Sequence, residues 1–186
     1  MCRNIIRAPN HLGDCIMALA ALQSIPDNFN YYLLAPNWSQ QLFINLSGAK
    51  ILPVPSEYMH GVSSIMYQKK IIKDRNIEKG LLLTPSFSSA LIFLLGRVNN
   101  RFGYPTDYRR ALLNNPVSTI EETIHRSDSY LNLLETFTGL ELKKVSPQIN
   151  VGGKMSVTTR KLLQKGRLDN NEKYIATIKP EKANPR

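Results

Sequence analysis

Short, continuously apolar runs recur along this chain, and between them the apolar spacing lengthens to that of a helix. The strand-like runs are Asn4–Ala8, Tyr31–Ala35, Ile51–Val54, Gly80–Thr84, Arg101–Tyr104 and Tyr174–Ile178. Runs without a polar alternation suit strands buried on both faces. Helical patterns fill the gaps. Asp14–Ile25 aligns Ile16, Leu19, Ala20 and Gln23 along one side, and Trp38, Leu42 and Asn45 or Leu46 continue a second pattern. His60–Arg75 is a third and Ser86–Leu95 a fourth. Tyr130, Leu133, Leu134 and Phe137 give the stripe of an amphipathic helix, closed by Gly139. Strands alternating with helices predict a doubly wound α/β fold with a parallel sheet.

The 186 residues suffice for one domain with a real core and the start of a second. The predicted domains are residues 1–150 and 151–186. In the second, Val151-Gly152-Gly153 reads as a linker, Val157–Lys165 as a basic helix, and Tyr174–Ile178 as the first strand of another α/β unit. No apolar run approaches the roughly 18 residues of a membrane span. The longest, Ala90 to Gly96, is far shorter, and the N-terminus has no signal-peptide pattern, so a cytoplasmic chain is expected. The two cysteines, Cys2 and Cys15, suggest neither a disulfide framework nor metal-ligand spacing.

Net charge is +10 and unevenly spread. Residues 1–150 hold 15 Lys/Arg against 11 Asp/Glu, whereas residues 151–186 hold 9 against 3. Such a chain suits an acidic ligand, an anionic membrane face or nucleic acid. There is no zinc-finger spacing and no aromatic-basic RNA-binding strand, which leaves nucleic acid the weakest of the three.

Ligands of open α/β sheets bind beyond the carboxyl ends of the strands. The loop Pro9–Gly13 sits at such an end. Gly13 allows a sharp turn or a close approach to a ligand. Asp14 reads either as a helix cap or as a general base. In "RVNNRFGYPTDYRRALL", Arg97, Arg101, Arg109 and Arg110 form either a solvated loop or an anion-binding cluster, since the guanidinium fork matches phosphate and carboxylate. His125 opens the helix of Tyr130 and reads as structural more readily than as catalytic.

Three stretches, in order, carry a resemblance. "APNHLGDCIMALAAL", "LLLTPSFSSALIFLLGRVNNRFGYPTDYRRALL" and "HRSDSYLNLL" resemble the ADP-heptose:lipopolysaccharide heptosyltransferases of glycosyltransferase family 9 over about residues 3–150. The flavour within the family is that of the second heptosyltransferases. The resemblance implies a Rossmann-like acceptor domain, the N-terminal half of a GT-B enzyme. It implies transfer of heptose from ADP-heptose to an acidic sugar of the lipopolysaccharide core, with inversion, no metal and no cofactor. Such an enzyme works at the inner face of the inner membrane. Asp14 then maps onto the base. Asn10, His11, Gly13, Ser86, Ser88, Arg101, Tyr104, Arg109, Arg110 and His125 map onto the acceptor side. In the tail, "YIATIKPEKANPR" has the strand and proline of the donor half but lacks its Gly and Trp; Lys182 is its one donor-side candidate. The expectation is that these 186 residues do not turn over ADP-heptose alone. Two other readings stay open: a non-catalytic acceptor-binding fragment or decayed remnant, and a basic nucleic-acid-binding α/β domain.

Overall fold

Ile5 and Ile6 show why the first apolar run is a central strand. Both are fully buried, yet Ile5 packs into one hydrophobic core and Ile6 into another. Successive strand side chains point to opposite faces, so a strand apolar at consecutive positions needs cover on both. Leu33 and Leu34 repeat this split, as do Leu81 and Leu82.

The structure is a computed structural model that describes residues 2–119 and 124–149. These belong to a unit spanning Met1–Asn150. The tail elements expected from the sequence, the Val151–Gly153 linker, the helix Val157–Lys165, the strand Tyr174–Ile178 and Lys182, lie outside the described residues.

The elements run β1 (Asn4–Arg7), α1 (Leu12–Leu22), β2 (Tyr31–Pro36), α2 (Gln40–Phe43), β3 (Ala49–Val54), α3 (Gly61–Lys73), β4 (Lys79–Leu82), α4 (Phe87–Leu95), β5 (Asn100–Gly103), β6 (Asn115–Pro116) and α5 (Arg126–Thr138). The sheet order is β3-β2-β1-β4-β5-β6, every pairing parallel. Ile6 stands opposite Leu33 on one side and Leu81 on the other. The chain winds outward from β1 to β3, returns to β4 beside β1, and winds outward again. The expected doubly wound, Rossmann-like α/β fold is therefore present, with its switch point between β1 and β4.

Each face of the sheet has its own helices. On one, Cys15, Ala18, Leu19 and Leu22 of α1 meet Tyr130, Leu133, Leu134 and Phe137 of α5. On the other, Ile72 of α3 meets Ala90, Ile92 and Phe93 of α4. Each fully buried Leu, Ile or Phe contributes about 1.5–3 kcal/mol relative to its exposed state. Close packing leaves Gly80 no room for a side chain: a Cβ there would stand 2.6 Å from the Phe93 ring and 2.8 Å from Val98. Gly139 closes α5 in the left-handed region at φ 73°, as its position in the sequence predicts.

The differences from expectation are local. The second helical pattern divides into a 3₁₀ turn, Asn37–Ser39, and the single-turn α2. β6 is only two residues long and carries no apolar run, so the sequence pattern gave no strand there. The arginine loop contains a 3₁₀ turn, Arg109–Leu112, entered through Asp107 and Tyr108, both left-handed at φ 53° and 54°.

Candidate functional site

The loop after β1 delivers Pro9, Asn10 and His11 to the carboxyl edge of the sheet, and α1 starts at Leu12. The N-cap is His11, whose side chain makes no capping bond. Gly13 and Asp14 therefore already lie in the first helical turn. This corrects two expectations. The chain does not turn at Gly13, and Asp14 is too far inside α1 to be its cap. A Cβ at Gly13 would touch nothing within 4 Å, so that side of the turn is open. A carboxylate in a first turn is favoured by the helix dipole.

Asp14 meets a residue the sequence reading passed over. Arg126, the first residue of α5, places Nε 3.7 Å from Asp14 Oδ1. Its guanidinium also stands 5.7 Å from the Tyr130 ring centroid. A loose, half-exposed pair of this kind adds little stability, but it presents a charged carboxylate and a charged guanidinium side by side. The i, i+4 spacing of Arg126 and Tyr130 on α5 was the signal available in the sequence.

Arg126 is also part of the wall of a cavity of about 380 Å³ beyond β4 and β5, with Tyr104, Thr106, Arg109 and Tyr130. The Tyr104 hydroxyl donates to the Ser129 carbonyl at 2.8 Å and accepts from Asn132 Nδ2 at 3.1 Å. Burial raises the Tyr104 phenol and pushes Tyr130 up to about 12, so both remain neutral. Arg109 is almost wholly buried. It donates to the carbonyls of Thr84 and Tyr104, the latter at 2.8 Å, and reaches Ser86 O and Ser89 Oγ at 3.5 Å. Burial lowers it to about 10, which leaves it cationic at neutral pH.

A second cavity of about 330 Å³ lies beyond β1, β2 and β3. Asn10, His11, Asn37, Trp38, Met59 and His60 line it. Trp38, half exposed, is the chain's only tryptophan. Sequence reading placed it on a helix face; its position just after the β2 strand was the available sign of an edge residue.

The other residues singled out from the sequence fall elsewhere. The four arginines do not act as one anion-binding cluster. Arg101 donates from Nε to the Leu112 carbonyl and from Nη1 to the Val98 carbonyl, both at 2.7 Å. Arg109 is engaged as above, and Arg97 and Arg110 are exposed. The physical reason is that carbonyls in turns and just beyond strands lack ladder partners, and a guanidinium carries five donors. Ser86 is the N-cap of α4 and accepts from Ser89 N at 3.4 Å; Ser88 donates to Ser86 Oγ at 3.4 Å. The Asp107 carboxylate accepts from Phe87 N at 2.8 Å and occupies that helix end as well. His125 caps α5: Nδ1 accepts from Ser127 N at 3.3 Å and lies 2.8 Å from Ser127 Oγ. It borders a separate cavity between α1 and residues 144–147, lined by Ile16, Met17 and Ala20. Among the described residues no group of three or more His, Cys, Asp or Glu could hold a metal, and no helix is long and apolar enough to cross a membrane.

No protein-family model matches this sequence, and no curated protein matches it. Solved structures do. E. coli ADP-heptose lipopolysaccharide heptosyltransferase II is similar over 90% of this chain, with 20% identity and a TM-score of 0.62. A family 9 glycosyltransferase from Veillonella parvula is similar over 91%, with 15% identity and a TM-score of 0.72. E. coli heptosyltransferase WaaC with ADP-2-deoxy-2-fluoro heptose is similar over 79%, with 14% identity and a TM-score of 0.60. In each case the match covers 51% of the other protein. What this chain shares with these proteins is thus the α/β fold of about half their length.

Proposed function

We propose that this chain is the acceptor-binding half of a glycosyltransferase, with Asp14 as the general base. The observation that carries the reading is the position of Asp14: a half-buried carboxylate in the first turn after the central strand, at the switch point, paired with Arg126 beside a cavity. A carboxylate there can take the proton of an acceptor hydroxyl as its oxygen bonds to the anomeric carbon of the donor sugar. The bond from that carbon to the diphosphate breaks as the new one forms, so the centre inverts and ADP departs. Arg126 would steer an acidic acceptor towards this carboxylate.

The substrates rest on the sequence resemblance, supported by the shared fold. The donor is ADP-heptose and the acceptor an acidic sugar of the lipopolysaccharide core. The reaction takes place at the cytoplasmic face of the inner membrane and uses neither metal nor cofactor. Helix α3 favours a membrane-adjacent setting: it exposes Val62 and Met66, then Lys70 and Lys73, and contains no acidic residue. Exposed apolar side chains followed by lysines suit an anionic lipid surface.

Calorimetry of the chain with a deacylated, acidic lipopolysaccharide core fragment tests the reading. Saturable binding that weakens in Arg126→Gln is expected. Equal binding of both proteins, or none, would remove it. Transfer is tested by joining residues 1–150 to the donor-binding half of the E. coli heptosyltransferase II; turnover that survives Asp14→Asn would exclude Asp14 as base.

A further inference from the structure

Helix α4 is apolar all round, and only one side of it is covered. Its residues, Phe87 to Leu95, include no charged side chain. Ala90, Ile92 and Phe93 are buried in the core. Phe87, Leu94 and Leu95 remain 43%, 38% and 44% exposed, and Leu91 is half-buried between them. Their spacing, i, i+4, i+7 and i+8, makes one outward stripe. Single exposed leucines are ordinary, but a continuous apolar stripe marks a contact surface.

The charges at the two ends of α4 select what fits the stripe. Arg97, just past the C-terminus, is exposed, and its side chain has no partner among the described residues. It takes φ 61°, a conformation that favours glycine, so the cation is kept there at a backbone cost. At the other end the exposed Asp107 carboxylate is tied to the helix by the 2.8 Å bond from Phe87 N. The neighbouring Arg109 is buried and committed to the Thr84 and Tyr104 carbonyls. Arg110, exposed in the same loop, has no such tie to α4. An anionic bilayer would attract the Arg97 end and repel the Asp107 end. A second copy of the chain, turned end for end, satisfies both.

We propose that α4 is the contact of a two-fold dimer, in which the α4 of a second copy packs antiparallel on this one. With Leu91 on the axis, Phe87 of each copy meets Leu95 of the other, and Leu94 lies over the small Ser88. Arg97 of each copy then reaches Asp107 of the other, because Asp107 is held at Phe87 and the helix is only about 13 Å long. Such an interface is self-complementary, so every contact occurs twice. A parallel pair would set Arg97 beside Arg97 and Asp107 beside Asp107. The stripe offers on the order of 300 Å² per copy, short of the roughly 800 Å² of a standard interface, so the dimer is weak and reversible.

Sedimentation velocity of the intact chain from about 1 to 300 µM tests this. A reversible monomer–dimer equilibrium is expected, with a dissociation constant of about 10–100 µM. Leu95→Glu buries a carboxylate in the contact and should weaken the dimer about tenfold or more. Arg97→Glu sets two carboxylates against each other at each end and should weaken it about fivefold or more. Both residues are exposed, so neither substitution disturbs the core. Asp107→Lys, checked as folded by circular dichroism, should act like Arg97→Glu. A mixture of the Arg97→Glu and Asp107→Lys chains should recover the parent's affinity, because opposite charges then meet at both ends. Monomers throughout, single variants as tight as the parent, or a mixture no tighter than its components would each overturn the proposal. Monomers that bind phosphatidylglycerol vesicles until Leu95→Glu abolishes it would give the stripe to a bilayer instead. Monomers of the joined enzyme, at concentrations where the chain dimerises, would give it to the donor-binding half. The experiment measures no transfer, so its failure would leave the role of Asp14 standing, and the reverse.

Discussion

The two halves of the sheet's carboxyl edge use the same residue type for different ends. Beyond β1–β3, Arg7 is buried against Leu34 O and Asn10, and the cavity in front of it presents carboxamides and an indole. Beyond β4–β5, Arg109 is buried against Thr84 and Tyr104, but Arg126 stands half-exposed in the cavity wall, paired with Asp14 and over the Tyr130 ring. Both buried guanidiniums donate to carbonyls at the carboxyl edge, but the Leu34 carbonyl also accepts from Ala8 N at 2.9 Å, so Arg7 adds a second bond there. Only on the second side does an arginine pair with a carboxylate in the cavity wall, Arg126 with Asp14. Asp14 therefore has a guanidinium neighbour on one side and, on the other, a cavity lined by carboxamides, an indole and the imidazoles of His11 and His60. An arginine count cannot show this, because a guanidinium with backbone acceptors and one paired with a carboxylate look the same in sequence.

The largest expected effect falls on the residue between the two halves. In the joined enzyme, Asp14→Asn should lower kcat by about 10²–10⁴-fold, the usual contribution of general-base catalysis. The core fragment should still bind within about threefold by calorimetry, since an amide of the same shape keeps the helix turn intact. A loss confined to KM would instead make Asp14 a binding group.

Stability should separate the two buried arginines next. Arg109→Met strands the Thr84 and Tyr104 carbonyls, and a buried unpaired polar group costs about 1–3 kcal/mol, so a loss of about 2–4 kcal/mol is expected in urea unfolding. Arg7→Met leaves the Leu34 carbonyl its bond from Ala8 N and frees only an amide oxygen that can rotate, and should cost about 1 kcal/mol. The reverse order would show that Arg7, not Arg109, anchors the edge.

These contrasts also mark how far the sequence carried. Apolar runs such as Asn4–Arg7 and the Tyr130–Phe137 stripe announced their elements because period and burial coincide there. β6 did not, since two residues define no period. The Gly-Asp stretch placed Asp14 near the carboxyl edge. Spacing favoured the cap over the base, and α1, which starts two residues before Asp14, puts Asp14 too far inside the helix to cap it. Arg126 was missed although its spacing to Tyr130 was visible, because its pairing with Asp14 joins two elements and carries no spacing in the sequence.

Arg126→Gln tests the half-exposed cation beside Asp14. It should weaken binding of an acidic core fragment about tenfold, or ~1.4 kcal/mol, with less difference from the parent protein at high salt, where a half-exposed charge is screened. Equal affinity of the two proteins would show that Arg126 does not touch the acceptor.

The smallest effect lies beneath the shared loop. The Cys15 thiol donates to the Pro9 carbonyl at 3.2 Å, and burial, reinforced by Asp14, pushes it from 9.0 up to about 12. Between those values the folded chain keeps a proton that the unfolded chain has released. The unfolded state then binds fewer protons, so stability falls as pH rises. The contribution is complete below pH 9 and is lost on the way to about 12. In urea unfolding from pH 8.5 to 10, below the range where the buried tyrosines matter most, Cys15→Ala should show a decline shallower than the parent's by about 1 kcal/mol. Equal slopes would mean that the loop opens readily enough to hydrate the thiol. Both cavities would then share a mobile boundary, and the contrast between the two sides of Asp14 would describe one conformation among several.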